Sequence, residues 1–285
     1  MNKAFLLLKK YFLQAILIFL SLLYFLSAPK TEKRFKTALL NPKHDAQKIV
    51  LGVGRQSLVL EKAGSFWLGT KECDDKKPLF FSCDSDTIRS FLSLLKKNAT
   101  VVEAAGEKSL SSYGLKNGDG FFLGLYNLSG DEILSLRFGS VDSSRNIFFY
   151  VPKRKKIFSI DSEPFEPYLS VDVNFWASAE IFPKDIVGSD KKYRRGHLVF
   201  EPGAKEKPLL STSVDWTEAR EKTYDPGDGN LYRALFLPKK DGDYLFCFNA
   251  MPSAQRPSAE KDALKKINAV FNVSQWTFER VMEQE

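Results

Sequence analysis

The chain has 285 residues, a formal net charge of +7, 44% hydrophobic residues and 27% charged residues. This balance fits a folded protein and excludes a disordered or fibrous chain; it also excludes a polytopic transporter, which needs many long apolar spans. Three cysteines are too few for a disulfide-built scaffold, and two histidines leave little for a histidine-rich metal site.

The first predicted element is apolar. Tyr11 to Ala28 runs 18 residues without a charge. As a helix rising ~1.5 Å per residue it would span roughly 27 Å, about the hydrocarbon thickness of a bilayer. Tyr11 and Tyr24 suit the headgroup region near its ends, and Lys3, Lys9 and Lys10 precede it. An uncleaved signal anchor is expected rather than a cleaved signal peptide, because the run is long for one and Pro29 would follow any cut after Ala28. Basic residues flank the run on both sides, so charge does not set its orientation. The short leading tail places the rest of the chain outside the cytoplasm, on a single span in the inner membrane. With the three lysines of residues 1–28 removed, the remainder carries +4. That is too diffuse for a nucleic-acid-binding surface.

Residues 29–48 are polar and basic and read as a stalk. Short β runs follow at Lys48–Val53, Ser57–Glu61 and Ser65–Leu68. Asp84, Ser85 and Asp86 then cap a helix whose Ile88, Phe91, Leu92 and Leu95 share one face, and Thr100–Val102 reads as a strand. From Gly120 to Ile160, four strand-like runs alternate with turn signals at Ser129–Asp131, Asp142–Arg145 and Pro152–Lys155. Loops this short join antiparallel neighbours, so this is a meander. In the last third, Ala234–Pro238 and Asp243–Phe246 form a hairpin. Ser258 starts a second helix carrying Leu264, Ile267, Val270 and Phe271, and Gln275–Val281 resembles a strand.

The expected fold class is α+β: an N-terminal transmembrane helix, then antiparallel-sheet modules with one packed helix each, with a diverged tandem duplication as a possible origin. The corresponding division is a tail and anchor (1–28), a basic stalk (29–48), a first α+β module with its meander (49–183) and a second, smaller α+β module (184–285).

The segment from about Ile49 to Pro183 resembles an uncharacterised family of membrane-anchored extracytoplasmic proteins. The matching features are Trp67-Leu68, the acidic-capped helix from Asp84, Thr100 to Ala104 and Tyr113-Gly114-Leu115. Leu136 to Gly139, Ile157 to Ile160, Pro167 to Ser170 and Asn174 to Pro183 complete the set, as in longer, spirochaete-like members. Members are often encoded beside gliding-motility-type ABC transporter components. The resemblance implies an accessory role in the envelope and supplies no catalytic residues. Here the loop Lys71 to Phe81 is expanded and brings two cysteines.

Cys73 and Cys83 flank that loop, which leaves a disulfide or two separate thiols. Cys247, within a strand, reads as a buried small apolar residue. Neither the cysteines and histidines nor Asp225 to Asn230 show metal-ligand spacing, and Gly52-Val53-Gly54 lacks the rest of a phosphate loop. No metal or cofactor is therefore expected. Hydrolase and metalloprotease motifs are absent too, and the chain is read as a non-enzyme. Two segments could touch a partner. Lys153-Arg154-Lys155-Lys156 is a hairpin tip that is either solvated or in contact with an anionic partner. Phe175 and Trp176 lie in an aromatic stretch that serves either internal packing or a binding groove. The expected function is an accessory or scaffolding subunit of an ABC-transporter-type membrane complex, bound to a membrane protein. The alternative is a module binding a ligand or envelope polymer; an unrecognised hydrolase ranks below both.

Overall fold

Strand alternation dominates the architecture. The computed structural model describes residues 11, 12, 14, 16–22, 33–73, 77–116, 118–188, 193–203, 207–226, 230–254 and 256–283. Among them are fourteen strands in two sheets, and from β2 to β14 every pair of neighbouring strands is antiparallel. The large sheet holds β1 (Arg34–Thr37), β2 (Lys48–Val53), β3 (Gln56–Ala63), β4 (Phe66–Lys71), β5 (Leu79–Ser82), β6 (Ala99–Gly106), β7 (Phe121–Tyr126), β8 (Glu132–Val141), β9 (Asn146–Val151) and β10 (Lys156–Asp161). Its spatial order is β1-β6-β10-β9-β8-β7-β2-β3-β4-β5. The small sheet orders β11 (Arg220–Tyr224), β12 (Leu231–Pro238), β13 (Tyr244–Met251) and β14 (Val270–Val273) consecutively. The helices are α1 (Ser85–Lys96), the single turns α2 (Val173–Trp176) and α3 (Lys184–Val187), α4 (Ser258–Lys266) and α5 (Gln275–Glu283).

One face of the large sheet supplies most of the core. Ile49 and Leu51, Leu58 and Leu60, Leu123 and Leu125, and Leu134, Leu136 and Phe138 all point inward and are buried, as period-two alternation requires. Helix α1 packs into the same core. Asp84 caps it by accepting from the backbone of Asp86 and Thr87 (3.0 and 3.3 Å), and Ile88, Phe91 and Leu95 form its buried stripe. The Phe91 ring stacks on Tyr168 (5.0 Å between centroids) and meets Trp176 edge-on (5.7 Å).

The small sheet and the 163–187 segment join this core through polar locks. Tyr232 Oη donates to the Ile186 carbonyl at 2.9 Å, and Arg256 Nη2 reaches the Tyr232 hydroxyl at 2.6 Å. Arg256 also pairs with Glu260 (3.5 Å), whose carboxylate accepts from Ser65 N in the β3–β4 turn (2.9 Å). That carboxylate occupies the space beside Gly64, which turns the hairpin at φ +66. At the β5 edge the Asn268 side chain accepts from Phe80 N (2.7 Å) and donates to the Pro78 carbonyl (3.1 Å). Asn268 N and Ala269 N both donate to Phe80 O (3.0 and 3.1 Å).

Several expectations are corrected. The fold is mostly antiparallel β, in one broad sheet and one small one, and not a pair of equivalent α+β modules. The strand after α1, β6, pairs with β10 at the far side of the large sheet. The strand after α4, β14, pairs with the adjacent β13, so the two stretches do not share a topology and a duplication is not supported. The expected transmembrane helix is not found: among the described residues no helix is long and apolar enough to cross a membrane. Residues 16–22 are helical, with Ser21 Oγ donating to the Leu17 carbonyl at 2.8 Å. The rest of the Tyr11–Ala28 run, apart from residues 11, 12 and 14, lies outside the described residues, as do Lys3, Lys9 and Lys10. Two compact units divide the chain at Arg34/Phe35. Part of the expected stalk belongs to the larger unit, because β1 borders β6 and Leu40 and Ala46 are buried. Gln275–Glu283 is a helix, not a strand, and the extended segment Val270–Val273 replaces the end of the helix expected from Ser258.

Candidate functional site

The outer face of the large sheet is built from the alternate residues of the same strands. On β2 these are Lys48, Val50 and Gly52; on β3, Ser57, Val59 and Glu61; on β7, Phe122, Gly124 and Tyr126. Register places Val50 between Val59 and Gly124, and Lys48 between Glu61 and Tyr126. The Phe122 and Tyr126 rings lean over Gly124, 3.1–3.2 Å from where a Cβ would stand, which is closer than ordinary contact. A groove of about 430 Å³ opens here. Val50 and Tyr126 supply its apolar surface, Lys48, Lys62 and Glu61 its charges, and Leu128 in the β7–β8 turn its lip.

Toward β9 and β10 the same face is sealed. A 3₁₀ segment, Glu107–Tyr113, leads into Gly114 at φ +65 and sets Leu115 down on the sheet, where Leu115, Tyr150 and Ile157 form a second small core. Tyr113 and Phe148 pack ring to ring at 4.5 Å. Three hydrogen bonds hold this cap: Tyr150 Oη to Glu107 (2.7 Å), Ser140 Oγ to the Tyr113 carbonyl (3.1 Å) and Arg137 Nη1 to the Leu115 carbonyl (3.2 Å). Burial, together with the Glu107 carboxylate, raises the Tyr150 phenol above its ordinary range. The motif Tyr113-Gly114-Leu115 and the motif Leu136 to Gly139 thus meet in space. The backbone of Gly139 lies directly beneath the Tyr113 carbonyl and the Leu115 side chain.

The residues singled out by sequence have mixed fates. Lys153 to Lys156 do form the β9–β10 tip, with Lys155 in the left-handed region at φ 52. Two of the four are committed within the chain: Lys153 donates to the Glu132 carbonyl (3.0 Å) and lies 3.6 Å from its carboxylate, and Lys156 pairs with Glu103 at 2.7 Å. Arg154 and Lys155 are exposed. Trp176 is fully buried, its Nε1 donating to the Ser170 carbonyl (2.8 Å), while Phe175 is half-buried against it. This aromatic pair is core and does not form a groove.

Of the two alternatives for Cys73 and Cys83, the structure has separate thiols and no bridge. Strands β4 and β5 pair Lys71 with Leu79, which leaves Cys73 at the loop end. Cys83 continues four residues past Leu79, where its N–H bonds the Trp67 carbonyl (2.9 Å). At ~3.3 Å per residue this separation far exceeds the roughly 7 Å between Cα atoms that a disulfide spans. Cys83 is a free, buried thiol. Cys73 Sγ donates to the Lys71 carbonyl (3.7 Å) and lines a cleft of about 90 Å³ with Lys77, Glu201 and Lys207. Burial pushes the Cys83 thiol up, and pushes Cys247 up to about 12, so both stay protonated.

Sequence reasoning missed Arg195. Its guanidinium donates to the carbonyls of Ser178 (2.7 Å), Ala177 (3.0 Å) and Gly196 (2.7 Å) and stacks 3.7 Å over the Phe271 ring. Burial lowers it to about 10, still a cation at neutral pH. No local motif announces it, because its partners are backbone carbonyls fixed by the fold. Among the described residues no group of three or more His, Cys, Asp or Glu side chains is placed to hold a metal ion; of the acidic turn Asp225 to Asn230, residues 227–229 lie outside them.

Comparison with family models, curated proteins and solved structures finds no match to this chain.

Proposed function

We propose that this chain is a non-enzymatic accessory or scaffolding subunit of a membrane complex at the cell envelope, of the ABC-transporter type to which its sequence resemblance points. The partner would sit on the outer face of β3, β2 and β7. The observation that carries the reading is the division of that face: a cap seals it over β9 and β10, whereas Val50, Val59, Phe122 and Tyr126 stay only half-buried around the groove. A fitting partner lays an apolar side chain over Val50 and directs a carboxylate toward Lys48 and Lys62. The chemistry of the nucleophile candidates supports the same reading. The Cys83 and Cys247 thiols are buried and held neutral, and the Ser162 hydroxyl, which donates to Glu166, is fully buried away from any substrate.

The test is co-purification of the full chain from mild detergent, with a photo-crosslinker at position 59. A companion membrane protein should crosslink to the native chain. The Val50→Glu variant should lose it while keeping its melting temperature. Recovery as a solitary monomer, or crosslinking undiminished by Val50→Glu, would overturn the assignment.

A further inference from the structure

We propose that the paired hairpin tips at one end of the large sheet, Leu128 with Arg154 and Lys155, dock on an anionic lipid surface. This surface borders the groove assigned to a protein partner, with Leu128 at the shared lip, but Arg154 and Lys155 lie outside that groove, so the assignment can fail alone.

The topology brings the tips together. Strand β7 rises to Tyr126 and β8 descends from Glu132; β9 rises to Val151 and β10 descends from Lys156. With β8 beside β9, the turns 127–131 and 152–155 therefore stand at the same end, two strand spacings apart, which is ~10 Å. Lys153 ties them, since its ammonium donates to the Glu132 carbonyl at the base of the neighbouring turn (3.0 Å). Leu128 is 87% exposed at the crest of its turn. That turn is internally rigid: Asp131 N donates to the Asn127 side chain (2.8 Å), Asn127 Nδ2 to the Asp131 carboxylate (3.0 Å) and Gly130 N to the Asn127 carbonyl (3.1 Å). A rigid loop that holds a leucine in water pays for exposed apolar area with no internal return.

The charges beside it have the matching sign. Lys153 offsets Glu132 and Lys156 offsets Glu103, so these pairs contribute little net field. Among the described residues neither Arg154 nor Lys155 has an ion-pair partner, and both are exposed. A cationic tip next to an exposed leucine complements a surface that is negative at headgroup level and apolar just beneath. A soluble anion would use the cations and leave Leu128 in water.

The experiment uses the full chain carrying Cys73→Ser and Leu128→Cys, labelled with a polarity-sensitive dye; Cys83 and Cys247 are buried and do not compete. Vesicles of phosphatidylcholine alone report any binding through the apolar N-terminal run; vesicles mixed with phosphatidylglycerol add the headgroup charge. The dye should shift to the blue on the mixed vesicles and remain aqueous on the neutral ones. Arg154→Gln with Lys155→Asn should weaken the preference for anionic vesicles by roughly tenfold or more, since each near-surface cation contributes on that scale; asparagine retains the left-handed backbone at 155. Unlabelled Leu128→Ser should reduce binding to the mixed vesicles alone. A dye that stays aqueous on anionic vesicles overturns the proposal, as does an anionic preference that survives the double variant. Binding to a soluble polyanion with no dye shift would reassign the tip to an envelope polymer.

Discussion

Gly139→Ala tests whether the cap is held by close backbone approach. A Cβ at position 139 would overlap the Tyr113 carbonyl oxygen and lie 2.9 and 3.0 Å from Leu115 Cγ and Cδ2, against an ordinary carbon contact of ~3.5–4.0 Å. Two responses are open. If the cap stays, the overlap is absorbed as strain, at about 1–3 kcal/mol for an extra carbon in a packed site. If the cap lifts, the chain gives up the burial of Leu115, worth ~1.5–3 kcal/mol. It also loses the bonds from Ser140 and Arg137, worth about 0.5–1.5 kcal/mol each. The cheaper route is taken, so a loss of roughly 1–3 kcal/mol is expected. Urea unfolding measures the total, and hydrogen exchange on Glu107 to Leu115 tells the routes apart, with lifting exposing those amides. Leu115→Ala in the same background should not restore stability, because the overlap with a backbone carbonyl remains. Stability within ~0.5 kcal/mol of the native chain, with those amides still protected, would refute the argument.

Gly64→Ala should cost more than Gly54→Ala in a thermal melt. Both turns sit at positive φ and incur left-handed strain of about 1–2 kcal/mol, but only position 64 also displaces the Glu260 carboxylate, while position 54 faces open space. Arg195→Met should destabilise the fold by roughly 1–3 kcal/mol, because it strips charge-assisted bonds from the partly buried Ala177 and Ser178 carbonyls; Arg195→Lys should recover part, and chemical denaturation reads both. Cys247 imposes a pH dependence. Its folded pKa is raised from 9.0 to about 12, so its contribution is intact below 9.0 and is lost as pH climbs through that window. Cys247→Val should flatten the alkaline limb of stability against pH, and an unchanged limb would remove the thiol from the account.

Local chemistry made much of the large sheet legible. The runs at 48–53 and 146–151 coincide with β2 and β9, and Asp84 caps α1 as its position before an amphipathic stripe requires. Turn residues marked the meander because Asp142 and Arg145 satisfy their turn locally: Asp142 accepts from Ser144 N and Asn146 N (2.8 and 2.9 Å), and Arg145 takes φ 61. Errors arose where distant pairing decides. Val270 and Phe271 fit a helical face, but β13 and the 196–200 segment bind their backbone on both sides and draw it out into β14. Trp276 and Phe278 alternate like a strand, yet Ser274 caps Thr277 N (3.3 Å) and only Phe278, Val281 and Thr277 turn inward, leaving Trp276 64% exposed. The candidate site was legible as motifs, not as a place. Tyr113 to Leu115 and Leu136 to Gly139 stand out in the sequence, but their interlock depends on a register between strands that neither segment encodes alone. The open groove beside them escaped notice because Lys48, Glu61 and Tyr126 carry no signature until three strands align them.

Asn268 gives the large sheet an unusual terminus. Its side-chain amide offers β5 the same oxygen and N–H that another peptide group would, so the last strand ends against a carboxamide where a further strand could stand. Strand β5 reads Leu-Phe-Phe-Ser, with no charge, proline or bulge to deter a neighbour. Protection against polymerisation along this edge is therefore shared: Asn268 and Ala269 cover Phe80, and Ser178 N covers the Ser82 carbonyl at 2.8 Å. Loss of that carboxamide would leave the Phe80 N–H and the Pro78 carbonyl without their partner on every copy of the chain, opening one stretch of the edge to a neighbouring strand.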